Sequence, residues 1–439
     1  MSSFWAAYAW LPDGCHAGVG FDVDDGRFAR VKAGVASPAD AEILGGVVLP
    51  GLANGHSHAF HRVLRGRTHA TGGTFWTWRD QMYALAARLD PDSYLLLARA
   101  VFAEMAQAGY TIVGEFHYLH HDQRGHPYAD PNAMGAALIQ AAAEAGIRLT
   151  LIDACYLAGG LAATGHLPLD PVQTRFADRD VDHWRARVSL LSDLDRVRIG
   201  SAVHSVRTVP AEALSTIGAV AGERPLHVHL SEQPAENTAT RAFYGCTPTE
   251  LLDDHGLLGS ATTAVHATHL TDTDIKTLGD SQTSVCFCPT TERDLADGIG
   301  PARRLADLGS PLTTGSDQHA VIDPFEELRG LELHERLATG ERGRFTPAEL
   351  IMIASEAGYR SLGWTGGRIA DGALADFVVV RSESVRTTGA RPDQIGYAAT
   401  AADVDQVVVG GQVIVREGRH QLGSPARLLA TALDQLGET

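Results

Sequence analysis

Lysine is nearly absent from this chain. Lys32 and Lys276 are the only two, so its remaining basic residues are arginines. Cysteine is sparse too: five residues, an odd number, with no CxxC pair. That pattern excludes a disulfide framework and a zinc ribbon. No run of 18 apolar residues occurs, so no transmembrane helix is expected. The opening stretch MSSFWAAYAWLPDG has neither a basic start nor a sustained apolar run. No signal peptide is expected from it, and the cytoplasm is the expected compartment. Positive charge is also in deficit, with a formal net charge of −17. Such a surface repels nucleic acid and anionic membranes. It repels small anions as well, so an anionic substrate would need arginines inside its pocket.

What is present is ordinary globular material: 439 residues, 44% hydrophobic and 20% charged. A chain this long can bury a large core without cross-links. Residues 1–50 read as short strands with turns, and residues 368–439 read the same way. In the second segment VVVGGQVIV sets two β-branched runs about a Gly-Gly turn, a hairpin signal. The two ends are expected to meet in a small β-sandwich domain. Between them, in 51–367, eight apolar segments alternate with helical ones: 47–56, 110–116, 147–154, 197–204, 225–230, 262–267, 283–289 and 310–317. The helical stretch 90–109 opens on an aspartate that can cap it and closes on a glycine. The fold class expected is α/β, a (β/α)8 TIM-like barrel carrying the β-sandwich.

A barrel of this kind places its chemistry at the carboxyl ends of its strands. The first strand ends in His56-Ser57-His58, and residues two apart share a face. The fifth ends in HVHLSE, with His229 and, three residues on, Glu232. The sixth ends at His266 and the eighth at Asp317. Singly, each has a plain explanation: a bonded core histidine, a helix cap, a surface glutamate in a helix's first turn. Jointly they fall at strand ends that converge on one axis. Three imidazoles and a carboxylate, His56, His58, His229 and Asp317, suit one Zn²⁺ per chain with a position left for water; Fe²⁺ is the less favoured alternative. Neither lysine lies at a strand end, which favours one metal over two. Glu232 is the expected general base, Asp317, a ligand that also faces the water, is a further catalytic candidate able to take its proton, and His266 is expected to polarise the substrate. His227 and His269 receive no role. Cys286 and Cys288 alternate on one strand, where a thiol acts as a small apolar group.

The segments HSHAFHR, FWTWRDQMY, GEFHYLHH, AVHSVRTV, HVHLSEQ, VHATHL, CFCPTTERDLADGIGP and TGSDQHA together resemble the amidohydrolase superfamily. Within it they resemble the N-formimino-L-glutamate deiminases of histidine degradation. The similarity runs over about residues 45–370. It implies His56, His58, His229 and Asp317 as zinc ligands, Glu232 as proton shuttle, and His266 as the group polarising the leaving end. It implies Arg79, Tyr118, His204 and Arg207 as the residues gripping substrate. One position departs: the family pattern has glutamine where this chain has His61, itself able to donate a hydrogen bond. The implied substrate is a small anion with two carboxylates, which arginine forks bind in bidentate fashion. No nucleic-acid or membrane partner is expected, and a homodimer stays open. The rival readings are another deaminase of the same branch, acting on guanine or a pterin, and a non-catalytic barrel that binds metal or a metabolite.

Overall fold

The run from Glu42 to Ser57 carries the chain out of one sheet into another. Strand Glu42–Pro50 ends on a proline, which cannot donate to a ladder, and Leu52–Ser57 begins two residues later. Gly51 makes the junction: a Cβ there would lie 2.6 Å from Thr111 Oγ1 and 2.8 Å from Asp376 Cβ. The 47–56 segment of the sequence is thus two strands, because its apolar character continues across a change of sheet. The computed structural model describes residues 2–69 and 72–438. Met1 and Thr439, the outer limits of the terminal segments, lie outside the described residues.

Leu52–Ser57 is the first of eight parallel strands in one sheet. The others, in order around it, are Tyr110–His117, Arg148–Cys155, Val197–Val203, Leu226–Leu230, Thr262–His266, Ser284–Phe287 and Leu312–Thr314. Sequence order equals spatial order, each strand pairing with the next barrel strand along the chain. The seam between first and eighth strands is not a ladder. It is a single parallel bridge, Ser57 to Asp317. The Asp317 N–H donates to the His56 carbonyl at 3.0 Å and the His58 N–H to the Asp317 carbonyl at 3.1 Å. Gly315 permits this approach, since a Cβ there would meet the His56 backbone at 2.7 Å. Helix Pro91–Ala108 has Asp90 as its N-cap, accepting from the Ser93 N–H, and left-handed Gly109 as its C-cap.

The terminal segments meet in a second sheet of eight strands. Strand Phe377–Val380 runs antiparallel to Glu42–Pro50, with Val378 opposite Leu49. Phe4, Phe21, Phe28 and Phe377 interlock in its core at centroid separations of 5.2–5.6 Å for their edge and stacked pairs. The Gly-Gly hairpin is present between Val404–Val409 and Gln412–Arg416, with φ of +56° and +73° at Gly410 and Gly411. Arg148, at the foot of the third barrel strand, fastens the layers together. Its guanidinium donates to both Asp376 oxygens, at 2.7 and 3.0 Å, and Tyr359 donates to the same carboxylate at 2.7 Å. After the sheet the chain returns to the barrel, where helix Pro425–Gln435 packs on Pro91–Ala108. Among the described residues no helix is long and apolar enough to cross a membrane.

Candidate active site

His56 and His58 leave the first strand on one face, toward the barrel axis, while Ser57 points outward. The His58 Nδ1–H donates to the Phe116 carbonyl at 2.9 Å, and the His229 Nδ1–H to the His204 carbonyl at 2.9 Å. Each tautomer leaves an Nε2 lone pair facing inward. His229 Nε2 lies 3.1 Å from His56 Nε2. Asp317 Oδ1 lies 3.5 Å from His56 Nε2 and 3.4 Å from His58 Nε2. Burial pushes all three imidazoles below their ordinary range, His58 to about 3, so they stay neutral. Burial opposes ionisation of Asp317, but hydrogen bonding to His56 and the nearby His266 cation outweigh it and hold the carboxyl below its usual range. The three imidazoles lie close enough to share one ion, with the Asp317 carboxylate beside two of them, and neutral imidazoles with an anionic carboxylate suit a divalent cation.

The backbone around this point is strained. Ser231, His266, Ala267, Asp317 and His319 all have positive φ, between 42° and 69°, where non-glycine residues are uncommon. A buried polar chain braces the seam behind the histidines. Ser57 Oγ lies 2.5 Å from Glu115 Oε2 and 3.2 Å from His319 Nε2. His319 Nδ1 lies 2.9 Å from Ser316 Oγ, which accepts from the Asn54 amide at 2.6 Å. Glu115 Oε1 also accepts the Ala59 N–H at 2.6 Å, and burial pushes its carboxyl up to about 8. The segments bearing His56, His58 and Asp317 are therefore locked from outside the barrel.

Glu232 and His266 face the same point. His266 Nε2 is 3.8 Å from Glu232 Oε1 and 3.8 Å from Asp317 Oδ2, and its Nδ1 is 3.4 Å from Glu292 Oε1. Burial alone would depress His266, but Glu232, Glu292 and Asp317 outweigh it and hold the imidazole protonated. Burial raises Glu232, against the pull of His266 and Arg207. Arg207 stands between two buried carboxylates, with Nη2 3.7 Å from Glu232 Oε2 and Nε 3.2 Å from Glu236 Oε2.

These groups open onto one cavity of about 580 Å³, which His61, Arg79, Tyr118, His204 and Arg207 also line. His61 Nε2 lies 2.8 Å from Tyr118 Oη. Arg79 sits over the Trp76 and Tyr83 rings, 4.7 and 5.3 Å from their centroids. The structure thus brings every residue given a site role from the sequence to this chamber, His56 standing just behind its wall against His229. His227 is apart, 3.1 Å from the Ser361 carbonyl, and His269 faces the Asp297 carbonyl at 2.8 Å. Lys32 lies in the terminal sheet, and exposed Lys276 pairs with Asp280 on its own helix. Cys286 and Cys288 pack with Val265 in a small apolar cluster.

Several residues around this chamber carried no earlier assignment. Tyr156 follows the third strand directly, so the strand-end rule that found His266 reaches it as well. Tyr83, Gln173, Glu236 and Glu292 come from helices and loops with no such signal. In the GEFHYLHH segment Tyr118 and Phe116 turn inward, Phe116 packing on the His56, His58 and His229 rings. His117, His120 and Asp153 lie close enough to share an ion, but the Arg187 guanidinium already occupies both Asp153 oxygens at 2.7 and 2.9 Å, and His120 bonds the Ala154 carbonyl at 3.0 Å. Those partners already hold Asp153 and His120 in an ion-pair and hydrogen-bond network.

Residues 47–414 match the model of the amidohydrolase family. The chain is 34% identical over 438 residues to formimidoylglutamate deiminase of Pseudomonas aeruginosa, covering 96% of each protein. It is 28% identical over 411 residues to 5'-deoxyadenosine deaminase of Methanothermobacter thermautotrophicus, covering 91% of this chain and 90% of that one. A crystal structure of an amidohydrolase from Brucella melitensis superposes with a TM-score of 0.92 at 32% identity, covering 99% of this chain and all of the other.

Proposed function

The chain belongs to the amidohydrolase family, and from that membership and the site's geometry we propose that it hydrolyses N-formimino-L-glutamate to N-formyl-L-glutamate and ammonia in histidine catabolism. His56, His58, His229 and Asp317 would hold one Zn²⁺. When bound, the cation acidifies water and polarises the carbon–nitrogen double bond under attack. Glu232 accepts a proton from the attacking water and delivers it to the departing nitrogen, a role that its raised proton affinity suits. His266, held cationic among three carboxylates, donates toward the reacting centre and steadies charge as the tetrahedral carbon forms. One water enters, one C–N bond breaks, and ammonia leaves with no covalent enzyme intermediate. Arg207 and Arg79 bind the carboxylates, with Tyr118, His204 and His61 completing the grip.

The observation that carries this reading is the set of His56, His58 and His229, close enough to share an ion, with Asp317 beside His56 and His58, and Glu232 and two arginines lining the same chamber. A pocket built for a neutral ring has no need of two guanidinium groups. The test is incubation of metal-quantified protein with N-formimino-L-glutamate, following ammonia and N-formyl-L-glutamate together. Equimolar release of both is expected. Faster ammonia release from guanine or 5'-deoxyadenosine refutes the assignment.

A further inference from the structure

Gln173 is buried in a short turn beyond the third barrel strand. The orientation of its amide is set by the backbone: the Asp170 N–H donates to Oε1 at 2.8 Å. Nε2 must then face the other way. It meets Tyr156 Oη at 2.8 Å, Tyr83 Oη at 3.0 Å and the Gly159 carbonyl at 3.0 Å. An amide nitrogen has two hydrogens and no lone pair to offer. Toward Gln173, therefore, both phenol oxygens can only accept. Each phenol keeps its own hydrogen for another partner.

The two hydroxyls neighbour each other, so one can donate to the second. The second finds no protein acceptor within hydrogen-bond reach among the described residues. Both rings line the catalytic chamber, beside Arg207 and under Arg79. Arg79 Nε is likewise buried with no hydrogen-bond partner among the described residues. This stretch of wall offers donors in excess, the pattern that a carboxylate satisfies.

We propose that Tyr83 and Tyr156, oriented by Gln173, form a hydroxyl pair that binds a substrate carboxylate beside Arg207 and sets the preference for an anionic chain over a neutral ring. The inference rests on the deiminase reading for the identity of the substrate, but not for the chemistry of the wall. Burial raises the Tyr156 phenol well above its ordinary range, which keeps it a donor at any working pH.

The test uses Tyr156→Phe and Tyr83→Phe, which keep the rings and remove the hydroxyls. At least one variant is expected to raise KM for N-formimino-L-glutamate about tenfold or more, with kcat within about threefold. The ratio of kcat/KM for this substrate to that for N-formimino-L-glutamine should fall in the same variant. A KM within twofold of the unaltered protein in both variants overturns the proposal. Binding of N-acetyl-L-glutamate, followed by titration calorimetry, separates this failure from failure of the deiminase reading. If the unaltered protein deiminates nothing yet binds this dicarboxylate, and either phenylalanine variant binds it at least about tenfold more weakly, the hydroxyl pair stands and the activity does not. Equal affinity in all three proteins, or binding in none, overturns the pair.

Discussion

Replacing Arg207 by methionine keeps an unbranched apolar stem and removes the cation that contacts both Glu232 and Glu236. Both carboxylates are buried, at 5% and 1% exposure. Stranding buried charge by deleting its partner costs about 3–5 kcal/mol. At about 2.1 cal/mol/K per residue, a chain of this length has an unfolding entropy near 0.9 kcal/mol/K, so Tm should fall by about 3–5 °C if it unfolds as one unit. Loss of the charged fork should also raise KM about 10- to 100-fold. Adding Glu236→Gln separates the two effects. The amide oxygen still accepts the Ser231 N–H, 3.1 Å from the present carboxylate, while one stranded charge disappears. The double variant should recover about half of the lost Tm and none of the KM. Scanning calorimetry and steady-state ammonia release read the two quantities. An unchanged Tm in Arg207→Met refutes the charge argument, and recovery of KM in the double variant shows that Arg207 is a counter-ion rather than a substrate group.

Glu232→Gln should retain metal at one equivalent and lose about 10²–10⁴-fold in kcat; metal analysis beside turnover checks both. The Glu115 carboxyl titrates near 8 in the fold and near 4.5 when unfolded, so the folded chain holds the extra proton between those values. Its contribution to stability should decline on raising the pH through that window, by on the order of 1.4 kcal/mol per unit. Glu115→Gln should remove that slope in thermal melts across pH 5–8, and an unaltered slope assigns it elsewhere. His61→Gln should keep kcat/KM within a few-fold, because a glutamine amide can also donate to Tyr118 Oη; a loss beyond about a hundredfold would mean that the imidazole does something an amide cannot.

The alternation of strand and helix was legible because each barrel strand is a short apolar run bounded by polar ends. The proposed metal ligands and Glu232 were legible because a strand's carboxyl end is also where the barrel opens. Arg79 and Tyr118 became candidates only through family resemblance. Tyr83, Gln173 and Glu236 were illegible because they act by tertiary contact: Gln173 reaches Tyr83 across 90 residues, and no local period encodes that. The first strand was read too long because apolar character does not register a switch of sheets at Gly51. The brace of Asn54, Ser57, Glu115, Ser316 and His319 was hidden for another reason. Its members look like ordinary polar residues until the seam brings residues 262 apart within 3.2 Å.

The order of strands in the terminal sheet has a consequence for how this protein emerges from the ribosome. Strand Glu42–Pro50 waits beside Ser2–Leu11 with its other edge open until Phe377–Val380 is made. That is roughly 330 residues later, or on the order of 15–65 s at ordinary rates of translation. Throughout that interval Val47, Val48 and Leu49 present an unpaired apolar border on the nascent polypeptide, a surface for chaperones to shield or for neighbouring nascent chains to capture.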